Sequence, residues 1–310
     1  MKKIAIVLLV SLGLSACVGI KNDNNDVSIR IASYNMAFCR NTDDFVKTWQ
    51  PRKEYLMKVL RDYDFDICGA QEPYAFQIKY LQQQAPEYAY VETFVANETP
   101  EIFAKRKPNA VNNKYVLPNM NNPIWYKKAM FDVLDSGKFW FSNTPDVQSG
   151  GWEYNRSDKE RHCTWAKFKH KPSGKEFFVF NLHLICHNHQ KNHPDSIKIA
   201  KLLLKKVNEI AKDKTVFVMG DFNADDEHIC LNILNNSDVL KNSRLISKQK
   251  ELESDTSFIS FAPTENRYHA IIDHILVSKD VKVGKFALKN PIYNGVYPSD
   301  HLPIYIDAKF

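Results

Sequence analysis

Apolar and polar positions along the chain repeat with two periods. The stretches IRIASYNMAF (residues 29–38), FDICGAQE (65–72), EFFVFNLHL (176–184), TVFVMGDFN (215–223), HAIIDHILVS (269–278) and LPIYIDAKF (302–310) are short, apolar and rich in β-branched and aromatic residues. They predict buried strands. Between them, RKEYLMKVLRDYD (52–64) spaces Tyr55, Leu56, Val59 and Leu60 as one helical face, and DSIKIAKLLLKKVNEIAKD (195–213) is a longer amphipathic helix. Strands alternating with helices along one long chain predict a layered α/β domain. The stretch from Ala96 to Pro123 holds several Pro and Asn without periodicity and predicts a surface loop over the site.

Several strands run into polar residues. Asn35 ends the first, Glu72 follows the second, Asn181 and His183 share a face of the third, and Asp221 and Asn223 lie two apart in the next. Asp273 interrupts an apolar face, and Ser299-Asp300-His301 precedes the last strand. Singly, each has an ordinary explanation as a turn residue, a cap or a satisfied core histidine. Jointly, acids, amides and histidines at the ends of buried strands mark a site. Unpaired buried carboxylates are costly, so the cluster implies mutual pairing or a cation. Asp, Glu and Asn oxygens suit Mg²⁺, with Mn²⁺ or Ca²⁺ as alternatives, rather than zinc. A hard cation beside histidines suits phosphoryl chemistry.

Composition adds limits. The 310 residues are 44% hydrophobic and 12% aromatic, enough for a large core. The net charge is +6, and removing Lys2 and Lys3 of the first segment leaves +4, short of a dedicated nucleic-acid binder. That first segment has two lysines, the apolar run IAIVLLVSLGL and then SAC, which reads as an export signal. Leu14-Ser15-Ala16-Cys17 resembles a bacterial lipobox, which implies lipidation of Cys17; the alternative is an ordinary signal with a chance cysteine. The expected organisation is a signal peptide over 1–16, a lipidated Cys17 and polar tether over 17–27, and one catalytic domain over 28–310. The protein is then expected in the cell envelope, touching a bacterial membrane only through the lipid, as a monomer. Five further cysteines form no CxxC pair, so a disulfide framework is not expected.

The ordered strings SYNM, AQE, FNLHL, GDFN, IDHI and SDHLP resemble the endonuclease/exonuclease/phosphatase superfamily, and the secreted bacterial subgroup within it, over the whole chain after the tether. The resemblance implies a four-layer sandwich, two mixed β-sheets packed face to face with helices outside. It implies Glu72 as principal metal ligand with Asn35 and Asp300 near the ion. Asp221 would activate the attacking water, with Asn223 orienting it or holding a phosphate oxygen. His301, supported by Asp273, would contact the phosphate, and His183 would be a second contact and a candidate general acid. Asn181 and Arg161 are candidate substrate contacts, the latter equally a surface arginine. The pairing also implies an Mg²⁺-dependent phosphoesterase acting on nucleic acid, a phospholipid head group, or a sugar or inositol phosphate; the alternative is a non-catalytic surface lipoprotein.

Some features depart from the pattern. His187, His189 and His193 follow the HL motif and read either as a second cation site or, preferably, as a polar loop. Lys105-Arg106-Lys107 with Tyr115, Trp125 and Tyr126 would suit a phosphate backbone with stacked bases. A solvated charge run with core aromatics is the favoured alternative. SGGWEY is expected to expose Trp152, and His274, beside Asp273 on the opposite face, to pack structurally.

Overall fold

The computed structural model describes residues 26–39, 49–91, 121–149, 151–152, 161–185, 192–261 and 269–310. Its strands are β1 (Ser28–Asn35), β2 (Ile67–Gln71), β3 (Tyr88–Val91), β4 (Ile124–Lys127), β5 (Phe131–Trp140), β6 (His162–His170), β7 (Glu176–His183), β8 (Val216–Asp221), β9 (Lys241–Asn242), β10 (Gln249–Leu252), β11 (Asp273–Val277), β12 (Lys282–Leu288) and β13 (Ile304–Lys309). The helices are α1 (Gln50–Asp62), α2 (Ala75–Gln84), α3 (Pro194–Ala211), α4 (Ile229–Asn235) and the short α5 (Ser243–Ile246). The strands form a seven-stranded sheet, β10-β12-β13-β1-β2-β4-β3, and a six-stranded sheet, β5-β6-β7-β8-β11-β9. Both are mixed: β1 pairs parallel with β2 and β7 with β8, while β13 and β11 run antiparallel beside them. The expected sandwich is the observed fold.

Strand alternation explains the layers. Ile31, Ile67, Ile124, Val179, Phe217, Met219, Ile275 and Ile304 point between the sheets into one apolar core. The other face of the six-stranded sheet, with Cys163, Phe180, Leu182 and Val218, packs under Ile199, Leu203 and Val207 of α3. The other face of the seven-stranded sheet, with Ala32, Tyr34 and Cys68, packs under Leu56, Val59 and Leu60 of α1. That is the apolar spacing read from the sequence. Helix α3 starts at Pro194, with the His193 side chain accepting from the Asp195 amide. His193 is thereby used as a helix cap.

Where the sheets meet most closely, the packing is polar. Asn181 is fully buried; its Nδ2 donates to the carbonyls of Ala70 and Pro123, and its Oδ1 accepts from Gln71 Nε2 at 2.7 Å. Gly69 permits this approach, since a Cβ there would lie 2.5 Å from Met219 Sδ and 2.7 Å from Asn181 Oδ1. Cys68, Cys163 and Cys230 are buried thiols, not bridges. Trp125 is completely buried and Tyr126 packs on Phe168, so neither is placed to stack a base. Trp152 is also buried, against the expectation from SGGWEY, because it joins the core beneath α3. Cys17, Lys105, Arg106, Lys107, Tyr115, His187 and His189 lie outside the described residues, as do the tether and most of the Ala96–Pro123 loop. Among the described residues no helix is long and apolar enough to cross a membrane.

Candidate active site

The sheet register builds the site. His183 at the end of β7 sits level with Asp221 at the end of β8, and Asp221 sits level with Asp273 at the start of β11. Residues at one level of adjacent strands share a face, so these three side chains form a row at one edge of the six-stranded sheet. On the facing sheet, Asn35 ends β1 level with Gln71, the last residue of β2, and Glu72 follows. His301 lies just before β13, which runs antiparallel to β1 and so starts where β1 ends. The site therefore uses the ends of β1, β2, β7 and β8 and the starts of β11 and β13. The two antiparallel partners bring Asp273 and His301 to the same edge.

The backbone is bent to suit. Glu72, Ala37 and Asn223 have φ of 78°, 52° and 50°, a left-handed conformation uncommon outside glycine and frequent at functional turns. Asn223 is thus placed by a turn rather than by strand alternation: β8 stops at Asp221, and the Asn223 amide donates back to Asp221 Oδ1 at 2.8 Å. Gly220, immediately before Asp221, has φ 156°, and a Cβ there would meet the Leu182 carbonyl at 2.0 Å. Arg52 of α1 is completely buried and donates to the carbonyls of Met36, Ala37 and Pro298. It staples the segment after Asn35 to the segment before Asp300. Ser299 adds a 2.6 Å bond from its hydroxyl to the Asn35 carbonyl.

Asp221 is the hub. Its Oδ2 accepts from Asn35 Nδ2 at 3.0 Å and lies 3.4 Å from His183 Nε2 and 3.6 Å from His301 Nε2. His301 Nδ1 meets Asp273 Oδ2 at 3.0 Å. Burial works against the charge on His301, but the carboxylates of Asp273 and Asp221 outweigh it and raise its pKa to about 10. Burial, and then the charge of Asp273, push Asp221 up to about 7. His183 is held neutral: burial first, then the positive charges of Arg161 and His301, lower its pKa well below the ordinary value. The hydrogen bonds fix its tautomer. Asn223 Nδ2 donates to the Leu184 carbonyl at 2.9 Å and meets His183 Nε2 at 3.1 Å, so Nε2 accepts and Nδ1 carries the proton. That Nδ1 is buried with no partner among the described residues and lies 3.9 Å from Glu72 Oε1.

Glu72 forms the opposite wall. Its Oε2 accepts from the Phe38 amide at 3.1 Å. Burial and the nearby charge of Asp300 raise its pKa, while His301, the Phe38 amide and Arg161 pull it down. Arg161 thus lies near enough to act on both Glu72 and His183. His274 is buried on the other face of β11, as expected, and its Nε2 donates to the Ala224 carbonyl at 2.7 Å. The sequence did not single out Arg52 and gave Ser299 no role, because their partners are backbone carbonyls that no residue pattern records.

A groove of about 500 Å³ at the other end of the seven-stranded sheet, lined in part by Arg30, Asp66, Lys282 and Asp307, collects no comparable groups. Arg30 and Asp307 already pair there at 2.7 Å.

Two facing mixed sheets with helices outside them make an α/β sandwich, and this Asp–His–Asn cluster lies between their edges. The chain belongs to the Endonuclease/Exonuclease/phosphatase family, whose model matches residues 32–301. It is 26% identical over 277 residues to uncharacterised protein L388 of Acanthamoeba polyphaga mimivirus, covering 84% of this chain and 92% of that one. A family protein from Bacteroides thetaiotaomicron superposes with a TM-score of 0.77 at 27% identity, covering 92% of this chain and 98% of its own. A mannosyl-6-phosphatase from the same organism superposes at 0.74 and 27% identity, covering 91% and 100%.

Proposed function

We propose that the chain is a divalent-cation-dependent phosphoesterase that hydrolyses its substrate by in-line attack of water. The observation that carries this is the arrangement around Asp221: a buried carboxylate between a cationic His301 and a neutral His183, facing Glu72 across the gap. Asp221 orients the attacking water and takes its proton. Asn35 and the Asn223 amide fix the orientation of its carboxylate. His301, kept charged by Asp273, stabilises the negative charge that grows on the phosphoryl oxygens. His183 offers Nδ1–H to a phosphoryl oxygen; being neutral, it serves as a donor rather than as a proton source.

The donor set fits a hard cation at Glu72. Two carboxylates, Glu72 and Asp300, lie close enough for one to raise the pKa of the other, and a cation relieves that repulsion. Among the described residues Asn35 Oδ1 accepts only the Ala37 amide, which leaves it a lone pair. Asp221, Asp273 and His301 also bring ligand atoms within 4.8 Å of one another. There, however, His301 Nδ1 is taken up by Asp273 Oδ2 at 3.0 Å, and Asp221 Oδ2 already accepts from Asn35 Nδ2 at 3.0 Å. Glu72, Asn35 and Asp300 would therefore hold Mg²⁺, which when bound neutralises phosphate oxygens.

A phosphomonoester of a small polyol is the favoured substrate, supported by the likeness to a mannosyl-6-phosphatase and by the mild net charge. The test is an Mg²⁺-dependent panel on the full chain, with sugar and inositol phosphates, sphingomyelin, plasmid DNA and RNA, and Asp221→Ala as control. Phosphate release from the small substrates, lost in Asp221→Ala, is expected. Plasmid nicking instead would make the chain a nuclease, and silence throughout in folded protein would sink the proposal. A binding-only use of the fold has no supporting observation, since the water-orienting acid and both histidines are in place. We further propose export and lipidation at Cys17, supported by the SAC boundary after the apolar run. Labelled palmitate that enters Cys17→Ala as well as wild type would refute it.

A further inference from the structure

The polar row on the six-stranded sheet does not stop at His183. Strand β6 pairs antiparallel with β7, with Cys163 opposite Leu182 and Thr164 opposite Asn181. One step further, His162 falls level with His183. Cys163 and Leu182 both pack in the outer core beneath α3, so His162 and His183 turn to the inner face. On its other side His162 is opposite Trp140, the last residue of β5. The row therefore runs Trp140, His162, His183, Asp221, Asp273 across five strands, and the mechanism above uses only its last three members.

His162 is anomalous in the way a ligand-binding group is. Its residue is 7% exposed, and its Nε2 is buried with no hydrogen-bond partner among the described residues. Leaving a buried polar atom without a partner is costly, and such an atom in a native fold calls for one. The protein has fixed its surroundings. Asn122 donates to the His162 carbonyl at 2.9 Å, tying β6 to the facing sheet. The Trp140 and His162 rings meet at 6.5 Å and 47°, forming a tilted corner. Burial, then the charges of Lys138 and Arg161, keep the imidazole neutral with its pKa lowered to about 3. A neutral imidazole has one donor and one acceptor nitrogen, the complement of a hydroxyl. An aromatic ring beside it offers an apolar face to a compact carbon ring. A nucleobase would need a flat stacking platform, which a 47° corner does not provide.

We propose that His162, with Trp140 and Arg161, forms a leaving-group subsite that binds the hydroxyl-bearing ring of a polyol phosphomonoester beside His183. This rests on the phosphoesterase reading for the position of the phosphate, and it can be tested apart from turnover. The probe pair is glucose 6-phosphate and inorganic phosphate. Both are titrated calorimetrically in Mg²⁺ into full-length Asp221→Asn, which removes the water-activating group. Glucose 6-phosphate is expected to bind at least about tenfold tighter than inorganic phosphate, as one well-placed hydrogen bond would give. Adding His162→Phe should erase that preference and leave inorganic phosphate within about twofold, while His162→Gln should restore part of it. If His162→Phe does not fold, Trp140→Ala carries the same contrast. No preference for the sugar phosphate, equal weakening of both ligands, or no effect of His162→Phe overturns the subsite. So does a loss that appears only with a dinucleotide, which would give the corner to nucleic acid. Turnover by wild type is scored separately: binding through His162 without hydrolysis would sink the phosphoesterase reading and leave the subsite standing.

Discussion

Asp221→Ala removes the group that holds the water and is expected to lower kcat by about 10³-fold, within the usual range for a positioned acid or base, while the protein stays folded. A kcat within tenfold of wild type would show that Asp221 does not serve the water. His301→Ala should cost similarly. The pH profile follows from the same pair. Asp221 must be ionised and His301 protonated, so kcat/KM should rise through about pH 7 and fall through about pH 10. Asp273 supplies the largest charge acting on both groups, raising each. Asp273→Asn should therefore move both limbs toward acid, because Asp221 loses a repelling neighbour and His301 loses its principal counter-charge. A profile that keeps both limbs in place would refute the pairing. At this scale the sequence was informative about identity and less so about geometry. Asp221 and Asn223 stand out two apart in GDFN, yet their relation comes from a turn at φ 50°. Asn181 stands out equally, and its amide is wholly engaged in joining the sheets.

Elements carry the residues to within hydrogen-bond reach, and small features govern them. Gly220→Ala would drive a Cβ into the Leu182 carbonyl of the neighbouring parallel strand. It is expected to cost about 3 kcal/mol, at the upper end for overpacking, and to disturb Asp221 directly. Urea unfolding with an unchanged midpoint would contradict this. Arg52 binds three carbonyls from two site-forming segments. Loss of that side chain should loosen both: the Met36 and Pro298 carbonyls lose this donor, while the Ala37 carbonyl keeps Gln77 Nε2 at 3.3 Å. The six strands that carry most of the site and the helices α1 and α3 were legible because their apolar periods are strong, whereas β3–β6, β9, β10 and β12 were not read. Such a staple was not, since an arginine in a helix looks the same whether it faces water or a carbonyl.

For the whole molecule, cation binding should appear as stability. If Glu72, Asn35 and Asp300 hold Mg²⁺, saturating ion at a hundred times its Kd adds about 2.7 kcal/mol. For a domain of this size that raises Tm by about 5 °C. Glu72→Gln should abolish most of that rise, and an equal rise in the variant would place the ion elsewhere. What the sequence determined by itself was the class of layered fold, six of its buried strands and its two longest helices, and the set of acids, amides and histidines at strand ends. Those follow from local periodicity and from the cost of burying polar groups, which act on residues near in sequence. What only the tertiary structure decided was which of those groups meet. Asn35 reaches Asp221, and His301 reaches Asp273, across 186 and 28 residues of chain. The level of each strand against its neighbour then puts Trp140, His162, His183, Asp221 and Asp273 in one row. Register between strands is set by packing of whole faces and by turns far apart in the chain, and a linear pattern does not contain it.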